Sequence, residues 1–170
     1  MFRSLLGSNV HDPGPQGDSG EGVAGMTMIC ITYLATTGIL VYEKFFKPKK
    51  IQELAIIVTA RAMDCQYVWN AHAPAARNQG VPDALVDAIR DKSSLPNLAP
   101  DESAIINYAS ELFQTHKVST TTFDVALNQF GSQHLVEITA LIGHYAQTSM
   151  ILNTFEVTLP DDRTEVVLPV

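Results

Sequence analysis

The chain has 170 residues, 46% of them apolar and 17% charged, and this composition excludes a mainly disordered protein because there is enough apolar material for a core. Eleven lysines and arginines against eighteen aspartates and glutamates give a net charge of −7, which excludes a basic nucleic-acid surface as the dominant feature. The two cysteines, Cys30 and Cys65, are too few for a disulfide scaffold or a four-thiolate zinc site. We therefore predict no nucleic-acid partner.

The composition of residues 1–22 predicts a flexible arm, because most of this stretch is Gly, Pro, Ser and Asp. Positions 22–42 carry no charge, and their length fits a membrane span. Four threonines and three glycines dilute the apolar content. We therefore favour an apolar helix over 23–48 that is buried in a cytoplasmic oligomer, with a membrane anchor through 22–42 as the alternative.

The rest of the chain has helical periodicity, with apolar residues recurring about every 3.6 positions. It predicts an all-α domain of about six helices over 49–160, followed by an extended tail over 161–170. Asp64 is predicted to cap a helix that starts at Cys65 and ends before Gly80. Pro82 is predicted in the first turn of a short helix. Ser119 is predicted to cap a helix that stops at Gly131, and Ser132 to cap a last helix over 132–154.

A carboxylate and an imidazole, Glu53 and His72, are the first candidates for chemistry. On one straight helix they would lie about 28 Å apart, at about 1.5 Å per residue. A break near Met63–Asp64 would fold two helices against each other and bring the pair together. A carboxylate beside an imidazole fixes its tautomer and raises its basicity, so the pair would form a proton relay.

Four residues of the second helix share one face, because Cys65, Val68, Trp69 and His72 are spaced i, i+3, i+4 and i+7. At the first position of a helix, backbone N–H groups favour a thiolate, although a neighbouring aspartate opposes this. Such a face could bind a small carbonyl or carboxylate compound. From spacing alone this signal is weak, because a lone histidine on a half-apolar helix face is more often a satisfied core residue.

The stretch ELAIIVTARAMDCQYVWNAHAPAARNQGVPDALVDAI, residues 53–89, resembles the carboxymuconolactone decarboxylase family, which also contains the alkylhydroperoxidase D proteins. Residues 135–160 are similar to the family's C-terminal helix and the turn after it. The resemblance covers about 49–160. It implies a compact helical fold, assembly as a homotrimer or homohexamer, and a small-molecule site near the subunit interfaces.

The working motif of the peroxidase branch is a Glu, then Cys-x-x-Cys, then a His four residues on. Here Glu53, Cys65 and His72 are in register with the Glu, the first Cys and the His, while Val68 replaces the second Cys. One thiol cannot complete a disulfide cycle, so the redox cycle of that branch is not expected.

The resemblance leaves three functional hypotheses. The favoured one is a lyase or isomerase in which Glu53 orients His72 as the acid and base, with Cys65 modulating the site. Val68, Trp69 and His144 would then contact the substrate. The alternatives are a peroxiredoxin-like thiol activity through the single Cys65, and a non-catalytic oligomeric subunit.

No other cluster in the sequence indicates a metal ion or another cofactor. His134, Glu137 and His144 spread over about 15 Å of the last helix and do not form one metal site. We therefore predict no cofactor. Three acidic residues of the tail are expected to be solvated: Asp161, Asp162 and Glu165.

Overall fold

The computed structural model describes residues 49–170, and the all-α prediction is confirmed there. The five helices in this part, numbered in chain order, are α1 (Lys49–Ala62), α2 (Gln66–Asn78), α3 (Asp83–Asp91), α4 (Pro100–Thr115) and α5 (Thr120–Thr154). Within the described residues, no helix is long and apolar enough to cross a membrane. The predicted arm over 1–22 and the predicted helix over 23–48 lie outside them, so both stay predictions.

Helix α1 forms the centre of the domain. Every residue from Ile51 to Arg61 is buried, which is typical of a helix surrounded by other elements rather than one with a solvated face. Its main neighbours are α2, α4 and α5, and it also contacts α3. Glu53 lies on this buried helix, so its carboxylate is held inside the domain.

The turn between α1 and α2 reverses the chain direction. Asp64 has a φ of +49°, a left-handed conformation that aspartate tolerates better than most residues. Cys65 is extended and occupies the N-cap position, so α2 begins at Gln66. The prediction of Asp64 as the cap of a helix starting at Cys65 is wrong by one residue. The reason is that the Asp64 carboxylate pairs with Arg61 of the preceding helix instead of capping the next one.

Other helix ends follow the predicted local chemistry. Gly80 has a φ of +89° just after α2, and the Ser119 hydroxyl accepts a hydrogen bond from the Thr122 backbone N–H at the start of α5. Helix α5 is interrupted at Gly131, whose φ of 77° and ψ of 164° are not helical. The predicted stop at this glycine is therefore confirmed as a break between two helical segments.

The last residues of the chain pack on α2 without forming a helix or strand. Leu168 is buried in the core, although its neighbours Val167 and Val170 are exposed. Glu165 forms an ion pair with Arg77 of α2, and its side chain is only 9% exposed. The expectation that Glu165 is solvated is therefore wrong, because a partner distant in sequence neutralises its charge.

Candidate functional site

Two helices that meet at the reversed turn bring Glu53 and His72 together. The Oε2 atom of Glu53 lies 2.9 Å from Nδ1 of His72. The Glu53 side chain is 8% exposed and the His72 side chain is 16% exposed. The residues are 19 positions apart in sequence, so this contact depends on the chain reversal at Asp64 and not on a helical repeat.

The hydrogen bond assigns distinct roles to the two ring nitrogens of His72. An ionised carboxylate only accepts hydrogen bonds, so Nδ1 carries the hydrogen and donates it to Glu53. The lone pair of the neutral ring is then on Nε2, which faces away from Glu53. His72 can accept a proton at Nε2 or return one from it, while the carboxylate balances the charge of the imidazolium.

Two aromatic side chains of α5, Tyr145 and His144, form a chain of ring contacts that begins at His72. The Tyr145 ring is 4.9 Å from the His72 ring in an edge-to-face arrangement with an interplanar angle of 80°. His144 packs on the same tyrosine at 5.2 Å and 85°. Burial lowers the pKa of His144 because it disfavours the imidazolium form. His144 is therefore a neighbour of the tyrosine that contacts His72.

Tyr145 is the residue of this site that the sequence reasoning did not select. Its signal was available in the helical register, because Ile138, Leu141 and Ile142 precede it on the buried stripe of α5. Adjacent helical residues point about 100° apart. His144 therefore lies beside that stripe, whereas Tyr145, at 8% exposure, lies within it.

Cys65 is fully buried, and its backbone N–H donates to the carbonyl oxygen of Ala60 at 2.8 Å. It lies seven residues before His72, which is about 10 Å along a helix axis. The thiol therefore occupies the core side of the α1–α2 turn. A cysteine reacts as its thiolate and needs access for the oxidant, and this position gives the side chain no solvent exposure.

Val68 and Trp69 pack in the core, at 3% and 0% exposure. The indole N–H of Trp69 donates to the carbonyl oxygen of Val166 in the C-terminal tail at 3.0 Å. The one polar atom of this side chain is therefore used inside the protein. Contact of these two residues with a substrate stays a prediction.

A surface pocket of about 330 Å³ lies where the start of α2 meets the end of α5. None of the six predicted site residues lines it. In the part of the chain that the structure describes, no group of three or more His, Cys, Asp or Glu side chains is placed to hold a metal ion. The pocket is lined by Gln66, Tyr67, Leu152, Asn153, Glu156, Val157 and Leu159.

Comparisons with known proteins agree with the resemblance described above. Residues 47–111, which include Glu53, Cys65 and His72, match the model of the carboxymuconolactone decarboxylase family. The chain is also similar to the crystal structure of an Agrobacterium tumefaciens protein of unknown function that is provisionally named antioxidant defence protein AhpD. That match has a TM-score of 0.62 and 14% identity over 85% of this chain and 94% of the other, so it shows a shared fold. No curated protein sequence matches the chain significantly.

Proposed function

We propose that this chain, a member of the carboxymuconolactone decarboxylase family by its residues 47–111, is an enzyme that transfers protons on a small carboxylated substrate, as a lyase or an isomerase. The observation that carries the proposal is the 2.9 Å contact between Glu53 and His72. It supplies what general acid and base catalysis needs, which is an imidazole with one nitrogen fixed and the other available.

The chemistry follows from the two nitrogens of His72. When a substrate carboxylate leaves as CO₂, the electron pair of the broken C–C bond stays on carbon. The Nε2–H of the His72 imidazolium can protonate that carbon. In an isomerisation, the neutral Nε2 would remove a proton from one carbon and return it to another. Glu53 stabilises the imidazolium in both reactions and keeps Nδ1 in the donor form.

The thiol alternative is disfavoured by the surroundings of Cys65. A disulfide cycle needs a second sulfur, and the position three residues on is Val68. Both side chains are buried, so a peroxide would have to enter the core to reach the sulfur. The thiol hypothesis and the catalytic one therefore make opposite predictions for the variant Cys65→Ala.

The family resemblance also supports a homotrimer or homohexamer and a cytoplasmic location. In this proposal the substrate site lies near a subunit interface, with His144 at its border. A non-catalytic oligomeric subunit is the remaining alternative. Enzyme assays separate it from the catalytic proposal, because such a subunit would not turn over any carboxylated lactone.

The test is turnover of a panel of carboxylated lactones by the purified chain, followed by CO₂ release and by ultraviolet absorbance. We expect His72→Ala to reduce kcat/KM by about 100- to 10,000-fold, the usual contribution of a general acid or base. Glu53→Gln should give a smaller loss, because the amide oxygen still accepts from Nδ1 but carries no charge. Cys65→Ala should retain activity.

The matched control is His116→Asn, because His116 is an exposed histidine at the end of α4 and its left-handed φ of 59° suits asparagine. It should leave turnover unchanged. Full turnover by His72→Ala on a substrate that the wild type converts would overturn the proposal. Loss of activity in Cys65→Ala with a normal fold would favour the thiol alternative.

A further inference from the structure

The C-terminal tail lies along α2 in the antiparallel direction, and helix side chains bind its backbone. The Gln66 amide makes a two-way contact, in which Nε2 donates to the Leu168 carbonyl at 2.9 Å and Oε1 accepts from the Leu168 N–H at 2.8 Å. One turn later, the Trp69 indole N–H donates to the Val166 carbonyl at 3.0 Å. Tail numbers fall as helix numbers rise, so these contacts define one register.

Polar groups extend this register at both ends. Near the end of α2, Arg77 donates to both carboxylate oxygens of Glu165, at 3.1 and 3.3 Å. Asn70 donates to the carbonyl oxygen of the same residue at 3.3 Å. At the other end, Arg61 of α1 donates to the Pro169 carbonyl at 3.2 Å. The contacts therefore extend along most of α2 and reach α1.

We propose that residues 165–169, called the strap, are a positioning element that fixes α2 and thereby holds His72 against Glu53. Trp69, which binds the strap, lies one helical turn before His72 on the same helix. Pro74 follows inside this helix and has no N–H to donate to the carbonyl of the preceding turn. The turn that carries His72 thus lacks one of its own hydrogen bonds, so its position depends more on packing and on contacts with other parts of the chain.

Leu168 anchors the strap, because its side chain is 2% exposed and joins the core cluster. The polar contacts of the strap exchange readily with water, whereas burial of a leucine has no such replacement. Removing the apolar side chain at this position should therefore release the segment. The neighbouring Val167 is 43% exposed and provides a control in the same segment.

The test compares Leu168→Ser with Val167→Ser in the full chain, using three readouts. Trp69 is the single tryptophan of the protein, so its fluorescence reports only on the surroundings of its own indole. The second readout is amide hydrogen exchange along α2. The third is the imidazole nitrogen NMR signals of His72, which distinguish an Nδ1–H fixed by Glu53 from a mixture of tautomers.

In Leu168→Ser we expect Trp69 emission at longer wavelength, amide exchange in α2 at least about tenfold faster, and averaged His72 nitrogen signals. Val167→Ser should match the wild type in all three readouts. The inference is overturned if Leu168→Ser shifts the Trp69 emission but leaves both α2 exchange and the His72 signals unchanged. It is also overturned if Leu168→Ser changes none of the readouts.

The functional consequence rests on the role proposed above for His72. If that role is correct, Leu168→Ser should lower kcat more than it raises KM, because it disturbs the acid and base and not a substrate contact. The NMR and exchange readouts need no substrate. They test the strap even if His72→Ala shows that the proposed chemistry is wrong.

Discussion

The break in α5 allows the same substitution, Gly→Ala, to be tested at two glycines of one helix with opposite expected signs. Gly131 has a φ of 77° and a ψ of 164°, a region that is almost restricted to glycine. A Cβ added at Gly131 would meet nothing within 4 Å, and the same holds for Gly143 inside the helix. The two sites therefore differ in backbone conformation and not in available space.

For Gly131→Ala we expect a loss of about 1–3 kcal/mol in the free energy of unfolding, which is the usual cost of a sparsely populated backbone conformation. For Gly143→Ala we expect a gain of about 0.5–1 kcal/mol, because alanine loses less backbone entropy in a helix. In a protein of this size about 1 kcal/mol corresponds to about 2–4 °C. Gly131→Ala should therefore lower the Tm by about 2–12 °C, while Gly143→Ala raises it by a few degrees.

The assay is urea unfolding of the two variants and the wild type, with thermal unfolding as a second measurement. The urea midpoints should move in opposite directions at an unchanged slope, since neither variant alters the surface exposed on unfolding. Equal shifts in the same direction would refute the reasoning. So would a stable Gly131→Ala variant, because it would mean that α5 can run through this position as a continuous helix.

Three further predictions concern acid stability, capping and the aromatic contact at the site. Burial opposes ionisation of Glu102, but its ion pair with Lys50 and its hydrogen bond from a backbone N–H outweigh this effect and lower its pKa. The stabilisation from this group is present above the carboxylate's unfolded pKa and is lost as the pH falls through the lower folded pKa. Glu102→Gln should therefore show a smaller fall in urea midpoint on acidification than the wild type. Ser119→Ala should cost about 0.5–2 kcal/mol in urea unfolding, since it removes the N-cap acceptor of α5. Tyr145→Phe should keep the His72 nitrogen signals unchanged, whereas Tyr145→Leu, which loses an edge contact worth about 0.5–1.5 kcal/mol, should broaden them.

Features that depend on neighbouring residues could be predicted from the sequence. Gly80, Ser119 and Gly131 end or start helices through their own backbone or side-chain chemistry, and each does so in the structure. The contact between Glu53 and His72 could also be anticipated, because it needs only two helices and a reversal between them. Local rules therefore predict the helices, and one added assumption about the turn predicts the contact between Glu53 and His72.

Features that depend on distant partners could not be predicted in this way. Glu165 looked solvated, but it pairs with Arg77, which lies 88 residues before it in the sequence. Asp64 is a different case, because the Arg61 side chain that binds its carboxylate is only three residues away, and this local ion pair replaced the predicted helix cap. The helical register places Tyr145 on the buried stripe of α5, but only the packing of α5 against α2 shows that its ring meets His72. The contacts of Glu165 and Tyr145 are tertiary contacts, which no single-sequence pattern encodes.

The interruption at Gly131 also has an evolutionary consequence. In the eleven-residue segment 120–130 only Ala126 is buried, whereas the segment after the glycine carries most of the core contacts of α5. The structural effect of a substitution or insertion before the break is not transmitted to Tyr145 through a continuous helix, because the helix is interrupted at Gly131. A change of length in the first segment of α5 therefore need not shift the second segment, whose register sets the contact between Tyr145 and His72.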